Sequence, residues 1–233
     1  MLVEKPMAPT VAEADAMVAA ARGAGAFLMV AHCWRFHPDV RALRARVEAG
    51  ELGEIVKTRG CGAHARWGPS GWFIDPRLAG GGALLDMGVH AIDTTRYLLG
   101  DPRPVRVCAA VGTRYGGYAV DDDAVLLIGW SNGANSVVES GWWQPRAGGL
   151  EADTELYGTG GYARVWEETE PPPGYDHCTQ PMYSAQLAEF VDGVTSGRQP
   201  RPSGEDGRVV VQVVEQAYAS AGDFRRRRTS RAV

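Results

Sequence analysis

The sequence lacks both an excess of positive charge and any long apolar run, and each absence narrows the classes of protein that it can encode. Its 233 residues carry a formal net charge of −4, which gives no general attraction to nucleic acid or to anionic lipid. No apolar stretch reaches the roughly 18 residues that a membrane-spanning helix needs. We therefore expect no nucleic-acid partner and no membrane insertion, and we expect a small-molecule partner.

Paired cysteines are missing as well. The cysteines are widely scattered and form no C-x-x-C pair; they are Cys33, Cys61, Cys108 and Cys178. This spacing favours reduced thiols in a cytoplasmic protein over a disulfide framework. Neither a complete zinc-ligand pattern nor a G-x-S-x-G nucleophile motif occurs, so we expect no metal site and no serine-hydrolase chemistry.

Lysine is almost absent. Only Lys5 and Lys57 are lysines among the 24 Lys and Arg residues, so arginine is the default cation of this chain. A lysine that is kept against this bias indicates a need for a compact donor with a tunable pKa. Lys5 is therefore a candidate functional residue, and Lys57, which has no evident role, serves as its comparison.

The beginning of the chain has the pattern of a strand, a helix and a second strand. A short apolar strand stops at Pro6, Thr10 and Glu13 are spaced as a capping box at the start of a helix, and residues 26–32 are an apolar run of strand length. Two such strands need further neighbours to cover their edges and faces. We therefore predict that residues 1–33 are the tail of a larger parallel sheet of the Rossmann type.

Residues 34–233 are predicted to form a second α/β domain. A helix over 39–49 precedes β-branched and aromatic segments separated by Gly and Asn turns, which predict an antiparallel sheet of roughly five or six strands. A helix at 82–99 interrupts these strands, and a helical pair at 181–196 and 205–222 follows them. The predicted fold class is thus α/β followed by α+β, in which a large, mainly antiparallel sheet is flanked by helices and the final helices pack back on the Rossmann part.

The predicted helix at 82–99 carries a carboxylate and an imidazole one turn apart. On an ideal helix Asp86, His90 and Asp93 share one face. A carboxylate beside a histidine fixes the tautomer of the ring and stabilises the imidazolium, which is the arrangement of a general base. A structural helix histidine with two surface acids has the same spacing, so this segment by itself leaves both interpretations open.

Several motifs, taken together and in this order, resemble the Gfo/Idh/MocA oxidoreductase family. They are E-K-P at 4–6, W-R-F-H-P at 34–38, A-G-G-G-A-L-L-D-M-G-V-H-A-I-D at 79–93 and the last helix at 202–221. The resemblance covers almost the whole chain. It implies an enzyme that uses NAD or NADP to transfer a hydride to or from a hydroxyl-bearing carbon of a sugar, inositol or related polyol. A variant of this chemistry that cleaves a glycosidic bond stays open.

The resemblance also implies roles for individual residues. Lys5 would hydrogen-bond the reacting oxygen, His90 would take the hydroxyl proton, and Asp86 would assist the histidine and bind a neighbouring hydroxyl. These roles agree with the stabilisation of a developing alkoxide by a cation and with proton removal by a base. The predicted cofactor-binding residues are Glu4, Lys5, Pro6 and Arg35. The predicted substrate-binding residues are Asp86, His90 and Trp72, the last as a pocket wall for which core packing is the alternative.

The phosphate-binding turn of such an enzyme does not precede Lys5. The G-x-G-x-x-G motif that holds a cofactor pyrophosphate follows the first strand of a Rossmann domain. The string G-T-G-G-Y-A at 158–163 fits its letters, but no helical pattern follows, so we predict a hairpin turn there. The resemblance therefore implies that residues 1–33 are the C-terminal remnant of a nucleotide-binding Rossmann domain. We expect a truncated chain that lacks most of this domain, including the residues that choose between NAD and NADP.

Two functional hypotheses follow from these observations. The first is the NAD(P)-dependent dehydrogenase described above. The second is a non-catalytic module, derived from such an enzyme, that binds a sugar or dimerises. In both cases the resemblance implies that residues 34–233 are a substrate-binding and dimerisation domain, and that the chain forms a homo-oligomer through the broad C-terminal sheet.

Overall fold

The computed structural model describes residues 1–145, 152–166 and 180–229, with side chains as far as Gly222. Cys178, expected to be a reduced thiol, lies outside these residues. Over the part of the chain that is described, no helix combines the length and the apolar character that crossing a bilayer requires.

The predicted strand, helix and strand unit is present at the beginning of the chain. It consists of β1 (Leu2–Glu4), α1 (Val11–Gly23) and β2 (Met29–Ala31), and the two strands pair in parallel. Thr10 caps α1, because its Oγ1 accepts a hydrogen bond from the Glu13 backbone N–H at 3.3 Å and donates to the Glu13 carboxylate at 2.7 Å. The predicted start of this helix is confirmed.

Short helical segments connect the strand pair to the rest of the chain. A 3₁₀ turn at Cys33–Phe36 leads into α2 (Pro38–Glu48), which matches the predicted helix at 39–49 to within one residue. A second 3₁₀ turn at Gly71–Ile74 is followed by the single helical turn α3 (Pro76–Ala79). Both 3₁₀ turns contribute side chains to the cavity described below.

The large sheet has six strands in the described residues and is mixed, although mainly antiparallel. The strands are β3 (Ile55–Ala65), β4 (Pro104–Gly112), β5 (Asp123–Trp130), β6 (Asn135–Gln144), β7 (Ala152–Gly158) and β8 (Tyr162–Arg164). They lie side by side in the order β4-β5-β6-β3-β7-β8, and β3 with β6 is the one parallel pair among them. The predicted fold class is confirmed. The G-T-G-G-Y-A string forms the predicted hairpin turn between β7 and β8.

The helix predicted at 82–99 is not regular. Its first part, Leu84–Gly88, is a π-helical turn, and only Val89–Leu98 is an α-helix, α4. A π turn is wider than an α turn, so residues on either side of it are rotated relative to their positions on an ideal helix. The prediction of one continuous regular helix was therefore wrong in its first turn.

The last two helices join the two sheets. They are α5 (Gln180–Thr195) and α6 (Gly204–Thr229), close to the predicted 181–196 and 205–222. Val213 and Val214 of α6 are buried with the apolar face of the large sheet, whereas Val211 is buried with Val30 of β2 and the helix α1. The final helix thus packs on both the strand pair and the large sheet.

Two glycines allow the helix at 84–98 to lie directly on the backbone of β3. A Cβ atom added at Gly62 would overlap the carbonyl oxygen of Met87, and one added at Gly60 would lie 2.7 Å from Thr95 Oγ1. Any side chain at these strand positions would therefore push the helix away from the sheet. The close contact fixes the height of the π turn above β3.

Gly62→Ala should lower the free energy of unfolding by about 1–3 kcal/mol, because the new methyl group overpacks a backbone contact that cannot yield without moving the π turn. Gly23→Ala is the matched control, since its added methyl would have no atom within 4 Å. Urea denaturation of both variants measures the difference. Equal stability of the two variants would contradict this account of the helix contact.

Candidate active site

A cavity of about 320 Å³ lies at the carboxyl ends of β1 and β2. This is the end at which open parallel sheets bind their ligands. Its polar walls come from both sheets, from the π turn and from α4; they are Glu4, Lys5, His64, Asp86 and His90. Its aromatic walls are Trp34, Trp67, Phe73 and Tyr183. The structure therefore brings together the three predicted catalytic residues.

Lys5 and Asp86 form the central polar contact of this cavity although 81 residues separate them. Lys5 Nζ donates one hydrogen bond to the Asp86 backbone oxygen and one to Asp86 Oδ1, both at 2.8 Å. Lys5 reaches the cavity because it follows the last residue of β1, and Asp86 because it lies in the π turn. An ammonium has three N–H donors, so the third remains for a ligand oxygen.

The other Asp86 oxygen faces the large sheet. Trp142 Nε1 of β6 donates to Asp86 Oδ2 at 3.0 Å, and His64 Nε2 of β3 lies 3.7 Å from the same oxygen. Burial alone would raise the pKa of this carboxyl, but its interactions with His64, Lys5 and Trp142 outweigh burial and hold the pKa well below its usual range. Asp86 is thus a fixed carboxylate.

His90 lies on the first turn of α4 and is only 8% exposed. Burial, followed by the positive charge of Lys5, lowers the pKa of its ring well below the ordinary histidine value. The ring is therefore neutral at pH 7. Its Nδ1 atom has no hydrogen-bond partner in the described part of the chain, so Asp86 orients Lys5 here and does not hold that nitrogen of His90.

Asp93, expected on the same face as Asp86 and His90, belongs to a separate charge cluster beneath the cavity. Arg35 Nε and Nη2 donate to the two Asp93 oxygens at 2.7 Å each, and Arg35 Nη2 also donates to Asp101 at 2.8 Å. Burial would lower the pKa of Arg35, but Asp93 and Asp101 raise it above its usual value. The structure does not bring Arg35, a predicted cofactor residue, to the cavity, because two carboxylates engage its guanidinium.

The remaining predicted residues are divided between the cavity and its surroundings. Glu4 lines the cavity, whereas Pro6 and Trp72 are not among its described lining residues. Trp72 is 56% exposed and stacks on the lining residue Phe73, with 3.9 Å between the ring centroids. Trp72 therefore lies one aromatic ring away from the cavity that it was predicted to line.

Three residues that contact the site were not predicted as functional. His64 and Trp67 lie at the end of β3, and Trp142 lies in β6. His64 and Trp142 come from segments that were predicted as strands, and Trp67 follows the first of these segments by two residues. The close spacing of a histidine and a tryptophan at a strand end could have indicated His64 and Trp67. In the described ranges, no three His, Cys, Asp or Glu side chains are grouped so that they could hold a metal ion.

The fold and the site together define an α/β protein whose ligand cavity lies between a parallel strand pair and a large open sheet. Comparison with known proteins extends this description. The family profile for the GFO/IDH/MocA C-terminal domain matches residues 40–164. The rhizopine catabolism protein MocA of Rhizobium meliloti is 31% identical over 222 residues, which cover 93% of this chain and 67% of that protein.

Two further relatives agree with this match. The 1,5-anhydro-D-fructose reductase of Ensifer adhaerens is 29% identical over 224 residues, covering 89% of this chain and 66% of the reductase. The crystal structure of GenD2 from gentamicin A biosynthesis, in complex with NAD, has a TM-score of 0.83 at 30% identity and covers 96% of this chain and 69% of that one. The chain belongs to the Gfo/Idh/MocA family, and it spans about two thirds of the length of the curated relatives it matches.

Lys5→Met should raise the pKa of His90, because the nearby ammonium is the largest charge that disfavours the imidazolium and its removal also leaves the Asp86 carboxylate without its ammonium partner. Lys57→Met is the control, since Lys57 belongs to β3 and its Nζ lies over the Tyr157 ring, 4.1 Å from the ring centroid. The measurement is an NMR pH titration of the His90 ring. A His90 pKa that is the same in both variants and in the unchanged chain would contradict the coupling.

Proposed function

We propose that this chain provides the catalytic residues of an NAD(P)-dependent oxidoreductase that acts on a hydroxyl-bearing carbon of a sugar, inositol or related polyol. The observation that carries the proposal is the convergence of Lys5, Asp86 and His90 in one cavity at the carboxyl ends of two parallel strands. Relatives named for sugar reduction and for an NAD complex support it.

Each of the three residues has a distinct part in this chemistry. The Lys5 ammonium directs its remaining N–H toward the substrate oxygen and stabilises negative charge that develops there. His90, held neutral by burial and by Lys5, accepts the hydroxyl proton on a ring nitrogen in the direction of oxidation. Asp86 fixes the Lys5 ammonium through two hydrogen bonds and offers its Oδ1 to a neighbouring hydroxyl.

The strand ends suit the nicotinamide part of such a cofactor. Glu4, Lys5 and Ala31 line the cavity where β1 and β2 end, and together they would hold the nicotinamide beside the substrate carbon. When bound, NAD or NADP supplies the acceptor or donor of the hydride. Lys5 would contact both partners, so this residue aligns the substrate oxygen with the cofactor. Residues 1–33 are accordingly proposed as part of a Rossmann domain, and the scattered cysteines support a cytoplasmic location.

We further propose that the chain forms a homo-oligomer through the outer face of the large sheet, in residues 34–233. The helices cover one face of β5, and the opposite face presents Val125 and Leu127, which are 45% and 44% exposed. Val137 of β6 pairs with Leu127, and the apolar row continues into Cys108 of β4. An apolar strip of this kind on a broad sheet is typical of a protein interface.

His90→Ala and Lys5→Met should each lower kcat for NAD(P)-dependent polyol oxidation by about a hundredfold to ten-thousandfold, the usual contribution of a general base or an electrostatic donor. The assay follows the absorbance of the reduced nicotinamide, and thermal unfolding checks that the variants fold. Lys57→Met should keep its activity. Full turnover in both site variants would exclude the proposed roles. A folded protein that binds a polyol but shows no turnover with NAD or NADP would favour the non-catalytic module.

Leu127→Glu should convert the oligomer to a monomer, because it places a charge in the centre of the apolar strip. Leu187→Glu on α5 is the matched control, since Leu187 is 51% exposed and lies away from the sheet face. Sedimentation velocity measures the mass of each species. An unchanged mass for Leu127→Glu, or a monomeric unchanged chain, would reject this interface.

A further inference from the structure

Strand β6 contains one residue more than its parallel neighbour β3 where the two strands approach the cavity. The pairing advances from 63 to 65 on β3 and from 141 to 144 on β6, so His64 faces both Trp142 and Trp143. Such a β-bulge is rare between parallel strands and common beside active sites, where it redirects a side chain. The bulge therefore determines the directions of the Trp142 and Trp143 side chains.

The bulge adopts a backbone conformation that a large side chain disfavours. Trp143 has a φ of 61°, in the left-handed region where bulky non-glycine residues are outliers. Hydrogen bonds on both sides hold this conformation, since Trp142 N donates to Asp122 O at 2.9 Å and Trp143 N donates to Trp67 O at 2.8 Å. Conformations of this kind are costly and concentrate at functional sites. The end of β6 is thus held in a conformation that it would not adopt by itself.

The bulge directs the indole of Trp142 into the interior, toward the π turn. This side chain is fully buried and packs against Ala83 and Met87. A buried indole N–H requires an acceptor, and Trp142 Nε1 donates to Asp86 Oδ2 at 3.0 Å. Trp142 is not among the described lining residues of the cavity. It can therefore influence a bound ligand only through Asp86.

The bond from Trp142 distinguishes the two oxygens of the Asp86 carboxylate. A carboxylate group turns readily about its last side-chain bond, and the turn would exchange the oxygen that binds Lys5. The indole N–H only donates and does not titrate, so it holds Oδ2 toward the large sheet while Oδ1 binds Lys5 at 2.8 Å. The hydrogen bond from Trp142 thus fixes the orientation of the carboxylate.

We propose that Trp142 is a positioning residue of this site. The β-bulge at Trp142 and Trp143 aims the indole N–H at Asp86, and this hydrogen bond holds the carboxylate in the orientation that binds Lys5. A change at Trp142 should therefore alter Asp86 first and turnover through it. The catalytic part of this inference rests on the proposed function, because it concerns the same reaction.

The first test compares two tryptophans that each donate one buried indole hydrogen bond. Trp142→Phe removes the donor to Asp86, and Trp130→Phe, the matched control, removes the 2.6 Å bond from Trp130 Nε1 to Ser136 Oγ. A carboxyl ¹³C NMR titration should show a higher pKa of Asp86 in Trp142→Phe, because the lost bond favours the ionised form. Trp130→Phe should leave that pKa unchanged. The same Asp86 pKa in both variants would overturn the inference.

The second test separates the bulge from the Trp143 ring. Trp143→Asn and Trp143→Val both remove this indole, but asparagine accepts the left-handed conformation and β-branched valine does not. The Asp86 pKa should therefore be higher in the valine variant than in the asparagine variant. Equal values would show that the bulge does not aim Trp142. This comparison decides the matter even if Trp142→Phe fails to fold.

The third test is turnover. Trp142→Phe should lower kcat/KM for NAD(P)-dependent polyol oxidation by about tenfold, as expected for the loss of one hydrogen bond to a charged group. Trp130→Phe should keep its kcat/KM. A higher Asp86 pKa in Trp142→Phe with an unchanged kcat/KM would overturn the positioning role. No turnover in the unchanged chain would instead reject the proposed reaction, and the two titrations would still decide whether Trp142 orients Asp86.

Discussion

The helix that carries Asp86 and His90 lies against the bare backbone of β3, and this contact sets the geometry of the site. Gly62 faces the Met87 carbonyl and Gly60 faces Thr95, so no side chain separates the helix from the strand. The π turn thereby comes close enough to the sheet for Trp142 and His64 to reach the same Asp86 oxygen. Lys5, which follows β1, forms an ion pair with the other oxygen of Asp86. Gly60 and Gly62 of β3 thus allow the Asp86 carboxylate to contact residues of both sheets.

The charges around this helix are divided into two sets with different tasks. At its beginning, Lys5 and Asp86 remain partly open to the cavity and keep a donor and an acceptor for a ligand. About two turns further on, Asp93 pairs with Arg35, which also pairs with Asp101. A buried charge is tolerated only when it is paired and hydrogen-bonded. The ion pair of Arg35 with Asp93 therefore holds the 3₁₀ turn at Cys33–Phe36 against α4. Lys5 and Asp86 line the cavity and can contact a ligand.

Much of the architecture could be predicted from local patterns. The capping box at Thr10 and Glu13, the apolar run of β2 and the hairpin within residues 158–163 each depend on neighbouring residues alone, and each was predicted correctly. The π turn was not predicted, because an i to i+5 hydrogen bond leaves no regular spacing of apolar residues. As a result, Asp93 was placed on one face with Asp86, whereas the structure directs it to Arg35.

Strand ends, helix periodicity and motif order are properties of short segments, so the amino-acid sequence predicts most of the elements, the fold class and the candidacy of Lys5, Asp86 and His90. The contacts of each side chain depend on the tertiary structure. Lys5 binds Asp86, which is 81 residues away in the chain. His64 and Trp67 line the cavity, and Trp142 donates to Asp86. Arg35 binds Asp93 and does not line the cavity. The physical reason is that these contacts join elements distant in sequence, and their distances are set by how closely backbones pack.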